Sequence, residues 1–329
     1  MQIDLRTVAI KPLRQTYDHI AARFGDKPAS RYQEATYDIQ AVAHFHYRPL
    51  WDPDHEQFDP ARTAIRMKDW YAFKDPRQYY YGTWTIARAK QQDAAEANFE
   101  MIEDRGLAAL LPDELKKTAL AVLVPLRHVE WGGNTNDSFM CAYGYGTAIT
   151  QPCMYAAMDH LGMAQYLTRV GLELEGPAAL DAAKAAWLNG PGWQGLRRYV
   201  EDSFVVQDWF ELFVAQHLAL EGLMFPLVFD TLDAEFSARG GTAISMMTRF
   251  MNEWYAETSK WVDAQIKVAA AESQHNKDLV SGWARAYRDK AAPALEPIAA
   301  LGLGSKAKTA MDDVVDQFNA RCARLGLTL

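Results

Sequence analysis

From residue 81 to the end of the chain, apolar side chains return every three or four positions, the spacing of one face of an α-helix. The pattern predicts helices over 82–104, 113–143, 153–170, 177–188, 193–236, 243–272 and 305–325. Pro226 marks a kink in the fifth of these, and breaks fall around Pro293, Pro297 and Leu301–Gly304. The first 80 residues read differently. A short helix over 13–24 is followed by an extended stretch at 31–40, and then by segments cut by Pro49, Pro53, Pro60 and Pro76. With no strand-rich region and no linker, the expectation is an all-α chain: an arm over 1–80 and one helical domain over 81–329.

Two of the predicted helical hairpins share a plan. In an antiparallel pair of equal pitch, residues stand level when the turn lies midway between them. The midpoint of 130 and 160 is 145, inside Gly144-Tyr145-Gly146, so Glu130 should face His160. The midpoint of 221 and 257 is 239, beside Gly240-Gly241, so Glu221 should face Glu257, which shares a helical stripe with Phe250, Trp254 and Trp261. Gly132-Gly133 would loosen the first helix or let another backbone come close.

A carboxylate facing a histidine inside a helical bundle is one corner of a carboxylate-bridged metal site, which needs Glu-x-x-His pairs on two of its helices. Those pairs are missing here. Met163 stands three residues after His160, and Lys260 stands three after Glu257. Only His55 and His275 follow a carboxylate at that spacing, and both lie in polar or proline-broken surroundings. A protonated lysine cannot ligate iron, but it can neutralise a buried carboxylate. Two readings remain for Glu130, His160, His217 and Glu221: a reduced metal site, or buried polar pairs. His44-Phe45-His46 reads as hydrogen-bonded packing.

Composition narrows the function classes. With 49% apolar and 12% aromatic residues the chain can build a large core, and a net charge of -8 with no long basic run disfavours nucleic-acid or anionic membrane partners. Three cysteines, Cys141, Cys153 and Cys322, suit free thiols in a reducing compartment, and the start of the chain carries no export pattern, so a cytoplasmic location is expected. Nucleotide-binding Gly-rich loops, a Gly-x-Ser-x-Gly elbow and Cys-x-x-Cys are all absent from the sequence.

The arm is dense in aromatics, with thirteen between residues 32 and 84. Such proline-broken segments wrap on their own bundle or pack on another protein; Tyr32, Tyr37, Trp51, Trp70, Tyr80 and Trp84 are the candidate partner contacts. The segments RYQEATYDIQ, MKDWYAFKDPRQYYYGTW, HVEWGGN, MDHLGMAQYLTR and NEWYAETSKWVDAQ resemble the β subunit of bacterial multicomponent monooxygenase hydroxylases, most of all the phenol hydroxylase branch, with toluene and methane monooxygenases as relatives.

That resemblance implies a ferritin-like, ribonucleotide-reductase-like bundle without the di-iron site of the catalytic α subunit. On this pattern the ligand positions of α fall on Glu130, on His160 and Met163, near Glu221, and on Glu257 and Lys260. It further implies a doubled complex with α and γ subunits, a reductase carrying FAD and a 2Fe-2S cluster that draws on NADH, and a regulatory protein. The chain itself would hold no cofactor and no active site.

Overall fold

The computed structural model describes residues 12–40 and 47–329. All regular structure among them is helical. Two short helices, α1 (Asp18–Phe24) and α2 (Arg31–Thr36), lie in the arm. The chain then runs α3 (Tyr81–Arg105), α4 (Asp113–Val122), α5 (Arg127–Tyr143), α6 (Thr147–Leu174), α7 (Pro177–Asn189) and α8 (Gln194–Ser203). It closes with α9 (Trp209–Ala238), α10 (Thr242–Glu272), α11 (Gln274–Leu303) and α12 (Ala307–Arg324). The bundle is ferritin-like, with α5, α6, α9 and α10 at its centre.

Helix α9 is the hub. It is long and apolar enough to cross a membrane, yet 94% of its apolar window is buried inside the chain, which makes it a core helix surrounded by neighbours. Two of its stretches, Val214–Leu220 and Pro226–Leu232, wind as π-helix. Pro226 opens the second, because a residue without an N–H cannot continue the α-helical ladder.

Several boundaries differ from the sequence reading, each for a physical reason. The stretch 31–40 is not extended at its start: Ser30 and Gln33 form a reciprocal capping box that opens α2. The span 113–143 divides at the 3₁₀ turn Val124–Leu126, where Pro125 removes a donor. The span 193–236 divides after Ser203, and Asp208 restarts the chain by accepting from the N–H groups of Phe210 and Glu211 at 2.9 and 3.0 Å. Conversely, α11 runs straight through Pro293 and Pro297, held by the buried Ala294, Leu295, Ile298 and Ala299 around them.

The arm wraps on its own bundle in part. Tyr32 and Tyr37 pack edge to face at 6.0 Å and are buried beside Ile20. Asn276 on α11 bonds both backbone groups of Arg66, and Gln265 on α10 donates to the carbonyl of Lys74 at 2.6 Å. Phe73 is fully buried. Outward, the arm leaves Leu13, Tyr17, Tyr47, Leu50 and Trp51 exposed, Leu50 at 98%.

Candidate functional site

The turn at Gly144–Gly146 brings Glu130 on α5 level with His160 on α6, and the His160 Nδ1 to Glu130 Oε2 distance is 2.6 Å. Gly133 makes this approach feasible. A Cβ at Gly133 would stand 2.9 Å from the His160 ring, so the glycine is the recess into which the imidazole fits. Gly132 does the same for Val200, whose Cγ1 would be 2.5 Å from an added Cβ.

Helix α9 supplies the other half. His217 and Glu221 stand one turn apart on it, with His217 Nδ1 at 3.1 Å from Glu221 Oε2. Glu221 also accepts from His160 Nε2 at 3.2 Å and from the Gln216 amide at 3.1 Å. Gln216 lies five residues before Glu221, a spacing that the π-turn brings together. Its own oxygen accepts from Asn136, which donates also to Ser203.

Asp137 completes the cluster, and sequence reasoning did not single it out. It sits two turns after Glu130 on the same face of α5, and His217 Nε2 is 2.8 Å from its Oδ1. The seven-residue spacing from Glu130 was the available signal. Glu130, Asp137, His160, His217 and Glu221 are all buried to within about a percent.

Helix α10 does not take part as expected. Its inward positions are Met247, Met251, Trp254, Thr258, Trp261 and Gln265, so the stripe through Phe250 and Glu257 was drawn to one side. Phe250 packs sideways on Tyr166, with ring centroids 4.8 Å apart. Glu257 points outward to Arg88 at 3.2 Å, and Lys260 is exposed. Glu221 and Glu257 do not meet, because the π-segments of α9 break the equal-pitch condition. In place of acids, α10 lays Trp254 against His160 and Trp261 against His217, at centroid distances of 5.2 and 5.1 Å.

The electrostatics follow from the bonding. Each of the four imidazole nitrogens lies within hydrogen-bond reach of a carboxyl oxygen, an arrangement that doubly protonated rings facing carboxylates satisfy fully. Burial alone would strip the proton from His217, but Asp137 and Glu221 outweigh it and push its pKa up to about 9. His160 is likewise shifted well upward by Glu130 and Glu221, against the pull of burial. Burial works the other way on Glu221, yet its imidazole partners hold it far below the carboxylate range.

Burial wins at Glu130 and Asp137, whose pKa values rise despite their histidines. Each retains one buried oxygen, Oε1 and Oδ2 respectively, without a hydrogen bond. Two imidazolium ions against three carboxylates leave one negative charge, so a single proton on Glu130 or Asp137 makes the cluster neutral.

A dinuclear iron centre does not fit this donor set. The wall that would have to supply the second Glu-x-x-His presents indoles and Thr258. One smaller grouping, Asp137, His160 and His217, has ligand atoms within 4.8 Å of one another. Met163 is buried on α6 toward the groove beside α3. Of the remaining histidines, His55 bonds Asp52 at 3.0 Å within the arm, His275 is exposed, and His44 and His46 lie outside the described residues.

A helix relieved by two glycines, a buried cluster of carboxylates and imidazoles, and a fourth helix closing it with indoles define the centre of a ferritin-like helical bundle. The model of the family described as methane/phenol/alkene hydroxylase matches residues 51–273, and the chain belongs to that family. It is 49% identical over 329 residues to the phenol 2-monooxygenase oxygenase component DmpL of Pseudomonas sp. (strain CF600), covering 99% of this chain and 98% of the relative. It is 23% identical to the toluene-4-monooxygenase hydroxylase subunit beta of Ectopseudomonas mendocina, over 75% of each chain. Among solved structures, a chain of the xenon-pressurized phenol hydroxylase from Pseudomonas sp. OX1 superposes with a TM-score of 0.94 at 44% identity over 99% of both chains. The chain is accordingly a hydroxylase component of the multicomponent monooxygenase type.

Proposed function

We propose that this chain is the non-catalytic β subunit of a phenol-type aromatic monooxygenase hydroxylase. It supports an α subunit that carries the di-iron centre and hydroxylates the ring with O2. The observation that carries this reading is the fourth wall of the cluster: Trp254 and Trp261 face the two histidines where a dinuclear site needs acid and imidazole.

In this reading the chain works through its surface. Fully exposed leucines and half-exposed aromatics on the arm are the kind of apolar side chains that partner contacts bury. Trp51 is the strongest of the predicted contacts, whereas Tyr32 and Tyr37 already spend their rings inside this chain. Trp70, Tyr80 and Trp84 are half-buried and available in part. The partners are the α and γ subunits of a doubled complex, with electrons from NADH passing through a reductase bearing FAD and a 2Fe-2S cluster, and a regulatory protein, all in the cytoplasm.

The second reading, a mononuclear metal site, draws on the proximity of Asp137, His160 and His217. One preparation tests both. The separately purified chain should contain no stoichiometric iron, zinc or manganese and should restore phenol oxidation to α supplied with reductase. Stoichiometric metal that is lost in Asp137→Ala, with assembly intact, would favour the second reading. Deletion of residues 1–60 should abolish assembly with α, read by gel filtration.

A further inference from the structure

A groove of about 370 Å³ opens between α3, α6 and α10, on the far side of Trp254 from the buried cluster. That volume lies in the range of sites for small organic ligands. Its aromatic walls are fixed. The indole N–H groups of Trp84 and Trp254 both donate to Asp159, at 3.1 and 2.8 Å, and Arg88 clamps the same carboxylate with two bonds of 2.7 Å. Trp84 is stacked on Tyr155 as well, with planes 10° apart. At the other end, Tyr166 donates to Glu96 at 2.9 Å and Arg169 pairs with the same Glu96 at 2.6 Å.

Two features give the groove a chemical preference. Its guanidinium groups are paired, Arg88 with Asp159 and Glu257, Arg169 with Glu96, so it offers a ligand no uncompensated charge. The exposed side-chain amides of Gln92 and Gln165 stand on its rim and supply polar contacts. Gly162 supplies the space. It stands in the interior of α6, where glycine weakens a helix relative to alanine, and yet a Cβ added there would meet nothing within 4 Å. No packing contact demands the glycine; its missing side chain leaves the groove floor open.

We propose that this groove is a binding site for a small, neutral, flat aromatic molecule bearing a hydrogen-bonding substituent. The ring would lie over Gly162 against the half-buried Tyr166 and Phe250, and the substituent would reach the rim amides. This stands apart from the assignment of the chain as non-catalytic. The competing occupant is an apolar side chain of a partner subunit.

The test uses the assembled hydroxylase and two probes. Fluorine NMR titration with 4-fluorophenol should show saturable binding that includes a component from this groove. Gly162→Leu, which fills open space with a better helix former, should remove that component or weaken it at least tenfold while leaving assembly intact. A crystal soaked with 4-bromophenol should place bromine in the open space over Gly162, beside Tyr166 and Phe250. An unchanged titration in Gly162→Leu overturns the proposal. So does a groove filled by a partner side chain, or bromine seen only at crystal concentration with no matching solution component.

Discussion

The two central hairpins show what sequence arithmetic captures and what it does not. In α5–α6 both helices are regular, the turn lies midway, and Glu130 meets His160 at 2.6 Å as the count predicts. In α9–α10 the same count fails. Helix α9 changes pitch twice, its carboxylate turns to the histidines of its own side, and α10 answers with indoles. The difference shows that acid and imidazole gather on three helices of the bundle, while the fourth contributes aromatic packing.

The comparison can be broken most forcefully at Glu221, which three donors share. Glu221→Ala leaves two buried imidazolium ions without their common acceptor, and should cost roughly 3–5 kcal/mol in urea unfolding. A loss below about 1 kcal/mol would mean the cluster is not held by charge.

Alkaline pH should produce the next effect. His217 has a folded pKa of about 9, above the ordinary histidine value, so its contribution is full below the ordinary value and is lost as pH rises through about 9. The raised carboxyls of Glu130 and Asp137 have the same sign, since the folded state keeps protons that the unfolded chain has released, and this stabilisation falls as pH rises above the ordinary carboxylate range. A stability fall on the order of 2 kcal/mol between pH 7 and 10 is expected, and the part due to His217 should be lost in His217→Phe paired with Asp137→Leu, leaving the part due to His160. Flat stability over that range would contradict doubly protonated rings.

Gly133→Ala sharpens the first hairpin alone. An added Cβ at 2.9 Å from the His160 ring must push the imidazole off Glu130, at roughly 1–3 kcal/mol, although alanine favours the helix. Lys260→Ala marks the small end. The side chain is exposed, so the change should stay within about 0.5 kcal/mol, whereas a lysine neutralising a core carboxylate would show several times that.

Much of this was legible in the sequence. The helical texture after residue 81, the α5–α6 turn and the inward histidines follow from periodicity and counting. Asp137 shares a stripe with Glu130, but it is flanked by Asn134, Asn136 and Ser138 in a polar-looking run that conceals its burial. The π-turns of α9 leave no local signature beyond Pro226. They arise where a helix buried on every side accommodates its neighbours, which is a tertiary effect. Phe250 misplaced the stripe of α10 because a flanking contact with Tyr166 buries it without placing it in the core.

The central claim is that protons, carried by two imidazolium rings, fill the place a metal would take. Nitrogen-15 NMR of the histidine-labelled chain at neutral pH tests it most directly. The account predicts that all four ring nitrogens of His160 and His217 carry protons, with signals that move only as pH passes about 9 for His217. A ring nitrogen without a proton at neutral pH, shifted by a bound metal or titrating near the ordinary histidine range, would contradict it.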